Sequence, residues 1–194
     1  FGHSQVRPAY HLSSLVQDRP IFLPGNVGPL DDLRGFRPLP GQWTIDWSFF
    51  LGIGGSTPQP SRLIDAKLAA GLFTLPGSED SLALRNLRRG QVLQLPSGQA
   101  VAAHLGVPVR TGAELGTELD PTPLWFYILK EAELAGGQQL GPVGATIVAE
   151  VLLGLLKMDP LSFVNVQPDW QPTLPGATAG HFTLADLVDF AVSP

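Results

Sequence analysis

The apolar positions of the chain fall in short blocks separated by polar and Pro/Gly-rich breaks, and several blocks keep a helical period. Residues 3–17 read as one helix, kinked at Pro8, whose ring removes a backbone donor. Residues 43–53 read as a second, with Trp43, Trp47 and Phe50 at helical spacing on one core-facing side. Residues 61–70 read as an amphipathic helix with Leu63, Ala66, Leu68 and Ala70 as its buried positions. Ser81 predicts the cap of a helix over 81–89 carrying Leu82, Leu84 and Leu87, and a short helix follows over 100–105.

The most regular pattern comes next. Thr122 reads as an N-cap and Pro123 as the first helical position of a segment running to Leu134, ended by Gly136 and Gly137. Gly141-Pro142 opens a helix over 143–158, stopped by Asp159-Pro160. A short Gly-rich turn between two helices predicts an antiparallel pair, and their wide apolar faces predict that Trp125, Ile128, Leu152 and Leu156 are buried. A last helix over 182–191 is capped by Thr183. The turn-rich stretches 18–42, 54–60, 107–121 and 159–180 are left as connections, apart from a short helix over 30–36. Asp31-Asp32 at its start suggest a metal pair or, more simply, cap and macrodipole partners. The fold class is all-α with long irregular connections.

Composition narrows the function. With 44% hydrophobic and 15% charged residues, a chain of 194 residues is folded and long enough for one core. A net charge of −5 with no outstanding basic patch argues against nucleic acid as a partner. With 0 cysteines there is no disulfide, no thiolate ligation of haem or iron–sulfur and no Cys-based zinc site. His11, His104 and His181 lack zinc spacing, and no P-loop or Gly-x-Ser-x-Gly occurs. The apolar run 146–158, interrupted by Glu150 and Lys157, is too short and too polar to span a bilayer. A start at Phe1 suggests a processed chain or a piece of a longer one. The compartment stays open between secreted and cytoplasmic.

Three stretches then carry a resemblance. Gly2-His3-Ser4 with Arg7-Pro8, Tyr10 and Leu12 is the first, and Asn86 in the Leu-rich stretch before Arg88-Arg89 and Leu95-Pro96 is the second. The third and longest runs from Thr122 to Leu156. Together they resemble the C-terminal portion of the animal-type haem peroxidase superfamily (relatives of myeloperoxidase and the prostaglandin synthases), its bacterial branch most. The resemblance covers nearly all of the chain and implies that residues 1–194 are the proximal part of one haem peroxidase domain.

On that resemblance, His3 is the proximal ligand of a haem b iron, Asn86 accepts from its other ring nitrogen and Arg89 holds a propionate, with Arg88 in that role one register away. Second-shell acceptors of this kind fix a ligand's tautomer and basicity, and a guanidinium suits a carboxylate. It also implies an oxidoreductase using hydrogen peroxide on a small reducing substrate, in the setting of oxidative stress. The distal His and Arg, and a calcium loop, are expected upstream in the missing part of the same protein, so this fragment alone is expected to be inactive. Without the resemblance the residues have plainer readings. His3 is a packed helix histidine, Asn86 faces solvent, and the arginines form a solvated helix end. Two other functions compete: a fatty-acid dioxygenase of the same superfamily, and a non-catalytic helical interaction module that keeps the scaffold.

Overall fold

The structure, a computed structural model, describes residues 1–25, 27–176, 178 and 180–192. Among them are six α-helices: α1 (Leu82–Val92), α2 (Gly98–Leu105), α3 (Leu124–Leu134), α4 (Pro142–Met158), α5 (Phe163–Val166) and α6 (Leu184–Val192). One two-stranded sheet of β1 (Ala9–Tyr10) and β2 (Arg19–Pro20) and four short 3₁₀ turns complete the regular structure. The protein is mainly helical, as the pattern predicted. The chain divides into two compact units. One comprises residues 1–10, 20–37 and 61–151; the other comprises 11–19, 38–60 and 152–194.

Local caps explain most helices of the first unit. Ser81 Oγ accepts from the N–H of Leu84 and starts α1, which continues through Gly90 to Val92, past the expected end. Ser97 Oγ accepts from Ala100 N–H and starts α2, and Gly106 in the left-handed region ends it. The start of α3 differs from expectation. Pro123 stands at the cap position, and Thr122 is tied to α2 instead: its N–H donates to Gln99 Oε1, its hydroxyl accepts from Gln99 Nε2, and its carbonyl accepts from Gly98 N–H. Tyr127, wholly buried, packs with Ala102, Leu115 and Val143 in one cluster, while Ile64, Leu129 and Ala132 form another. A third cluster gathers Ile21, Leu68, Ala69 and Leu72.

Four expected helices are absent. Over 3–17 only the turn Gly2–Gln5 is helical, and the chain then extends into β1. Pro8 pushes Arg7 out of the helical region, and the Arg7 N–H donates to the hydroxyl of Tyr10. A segment this short before the proline has too little length to offset the cost of nucleation. Over 61–70 the chain is irregular: Asp65 Oδ1 accepts from Lys67 N–H, a turn that competes with a helix, and Ile64 N–H donates to Gly137. Leu68 is buried as expected, but Leu63 is exposed and Ile64 takes the inward place. The segment 30–36 forms turns, not a helix.

The second unit holds the fourth such failure. Residues 43–53 break into the 3₁₀ turns Gly41–Trp43 and Trp47–Phe49, because Asp46 caps Ser48 and begins a new turn. Trp43 is buried beneath the guanidinium of Arg19, whereas Trp47 is exposed. Gln59 bridges the N–H and the carbonyl of His11. Ser162 and Asn165 donate to the carbonyls at the end of α4, and a reciprocal Thr183–Asp186 capping box starts α6. The expectation of a buried α3–α4 hairpin is only half met. Trp125 and Ile128 are half-buried, but Leu152 and Leu156 are 58% and 38% exposed.

Candidate functional site

The face of α1 that carries Asn86 lines an open, mostly apolar cleft in the first unit. Leu84, Leu87, Leu95 and Trp125 form walls, and Asn86 and Arg88 are among its polar groups. The cleft has a volume of about 630 Å³, which lies in the range of small-molecule sites. It is assembled from α1, the turn before α2 and the approach to α3. The helical spacing of residues 84, 87, 88 and 91 presents one stripe of α1 to it.

The amide of Asn86 is the unusual feature of this wall. Its Nδ2 is buried and has no hydrogen-bond partner. A buried donor left unpaired costs roughly 1–3 kcal/mol, so a ligand atom that accepts from it has a physical reason to bind. Arg88 forms an ion pair with Asp80 on the exposed side of α1. Arg89, on the same helix, is exposed and does not line the cleft.

His3 sits in the turn Gly2–Gln5, which Ser4 fixes by donating its N–H and hydroxyl to the carbonyl of Phe1. Its side chain is exposed, yet desolvation of the ring, and then the charge of the nearby amino terminus, lower its pKa. The neutral imidazole is the form that binds metals. No hydrogen bond joins His3 to Asn86, and His3 does not line the cleft. The structure therefore brings Asn86 and Arg88 together on one surface and leaves His3 and Arg89 off it. Among the described residues no group of three or more His, Cys, Asp or Glu is arranged to hold a metal ion.

Two further side chains have roles that the sequence reading did not assign to them. Glu131, 6% exposed on α3, accepts from the N–H groups of Val143 and Gly144 and so caps α4 from a distance. Burial pushes its pKa up against the pull of those hydrogen bonds and of Arg110. The available signal was the opening Gly141-Pro142, which carries no local capping side chain. Asp32, wholly buried, organises residues 23–37 by accepting from Leu23 N–H, Arg34 N–H and the Arg34 guanidinium.

No family model, no curated protein and no solved structure matches this chain.

Proposed function

We propose that the chain supplies the proximal side of the haem pocket in a haem-dependent peroxidase, which oxidises a small reducing substrate with hydrogen peroxide. The observation that carries the reading is the apolar cleft of α1, which has the Asn86 amide and the Arg88 side chain on its lining. A haem is a large flat apolar body with two carboxylates, and the cleft offers those two kinds of surface. The fit covers Asn86 and Arg88, while Arg89 lies off the cleft; for His3 it rests on an exposed imidazole whose lowered pKa favours the ligating form. In this reading His3 binds iron and the Asn86 amide oxygen accepts a hydrogen bond from the N–H of its other ring nitrogen and so fixes the ring. Arg89, or Arg88 beside it, holds a propionate. Bound haem supplies the redox chemistry of peroxide reduction.

One observation favours the rival reading of a helical interaction module: the second half of α4 exposes Leu152, Leu153, Leu155 and Met158. Haem titration of the full chain separates the two. The peroxidase reading expects a Soret band that His3→Ala abolishes and Asn86→Leu shifts. A spectrum identical to that of free haem, unchanged by either substitution, leaves the interaction module standing.

A further inference from the structure

We propose that the α1 cleft binds an apolar organic acid and that Asp80 sets its affinity by competing with the ligand for Arg88. This goes beyond the haem reading and stands without iron or His3, since it uses only groups on or next to the cleft.

The walls ask for an apolar body, and the polar groups ask for an acid. Asn86 Nδ2 is a buried donor with nothing to donate to. The local charge also has the right sign: α1 carries Arg85, Arg88 and Arg89 within five residues, in a chain whose net charge is −5. A carboxylate entering the cleft meets the cation of Arg88 beside the Asn86 amide, and that attraction strengthens with distance from bulk water.

Arg88 is already engaged, and that is the basis of the control. Its guanidinium donates to Asp80 Oδ2, but the two side chains are 58% and 37% exposed. An ion pair held in water that way contributes little, about 0–1 kcal/mol. Replacing Asp80 by a carboxylate that also buries an apolar body against Leu84, Leu87 and Trp125 exchanges a weak pairing for a better one. A neutral ligand of the same shape gains the apolar contact alone and leaves the Arg88–Asp80 pair intact. Asp80 is thus a specificity-determining residue: it sets how much a ligand gains by being an anion.

The test uses 2-naphthoate and its neutral counterpart 2-naphthamide, titrated calorimetrically into the full chain. The expected result is tighter binding of the acid than of the amide. Asp80→Asn should tighten the acid by roughly twofold to fivefold and Arg88→Gln should weaken it by about tenfold, with the amide unmoved by either. Both substitutions lie on an exposed pair, and circular dichroism confirms that each variant is folded. His3→Ala should leave both titrations unchanged, so loss of haem binding and loss of acid binding are separate outcomes. Equal binding of acid and amide, no binding of either, or an acid affinity indifferent to Asp80→Asn each overturns the proposal.

Discussion

Asp32 shows how one side chain can fix a stretch with no regular structure. Its carboxylate is wholly inaccessible and takes the Arg34 guanidinium at 2.7 Å and the Leu23 N–H at 2.8 Å. The Arg34 hydrogen bonds, opposed by burial and helped by the Leu23 and Arg34 N–H groups, lower its pKa from 3.8 to about 2. A depressed carboxylate pKa contributes stability that is present above the unfolded value and is lost as pH falls through the folded one. That window runs from just above 4 down to about 2. Asp32→Asn should lower stability by roughly 2 kcal/mol at neutral pH, and the gap to the parent should close near the acid end of the window. Urea unfolding at both ends measures it; a gap of equal size at both would show that the carboxylate charge is not the cause. The pair Asp31-Asp32 drew notice in the sequence as caps or a metal site. What the sequence did not disclose is that only Asp32 turns inward, because its main partner, Arg34, and the Leu23 N–H belong to a loop with no periodic signal.

At the scale of elements, α1 and α6 were legible through a local cap, and α2, α3 and α4 through their apolar pattern and Gly/Pro borders. Ser81 and Thr183 announced α1 and α6 because each cap and the N–H it accepts from lie within one turn. The segments 3–17, 43–53 and 61–70 have apolar spacing good enough for helices, yet Pro8, Asp46 and Asp65 offer the backbone other arrangements. Asn86 was recognisable as out of place in a Leu-rich helix, but the cleft beside it was not, since its walls come from residues 84–97 and 119–125. The start of α4 is the clearest case of a partner remote in sequence. Its first amides donate to Glu131, twelve residues before Val143. Free amides at a helix start exchange quickly; those of Val143 and Gly144 should be protected. Glu131→Ala should speed their exchange about tenfold, the equivalent of one hydrogen bond of about 1.4 kcal/mol, while amides in the middle of α3 hold. Hydrogen–deuterium exchange with residue resolution reads this, and equal rates in the two proteins would remove Glu131 as the cap.

For the whole molecule, the decisive feature is apolar surface left in water. From Val151 to Met158 helix α4 is apolar apart from Lys157, and most of it is exposed, Met158 by 85% and Leu155 by 65%. Single exposed apolar residues are ordinary, but a contiguous stretch of this kind marks a surface that something else covers. The full chain should therefore self-associate with rising concentration. Sedimentation velocity would show it as a concentration-dependent mean mass, and Leu152→Glu with Leu155→Glu should restore the monomer. A parent chain that stays monomeric across the whole range would sink the expectation. No helix among the described residues is long and apolar enough to cross a membrane.

Gly98, the first residue of α2, lies against the ring of Tyr127, and a Cβ added there would fall inside that ring. Tyr127 in turn accepts the Arg110 N–H on its hydroxyl and fills the centre of its cluster. The two positions are therefore one heritable unit. Gly98→Ala alone should destabilise by about 1–3 kcal/mol; combined with Tyr127→Gly, which removes the Cβ and Cγ that the new methyl would meet, the two losses should be less than additive, which a double-mutant cycle measures. Across descendants of this sequence, residue 98 stays glycine for as long as residue 127 stays aromatic, and the two can drift only as a pair.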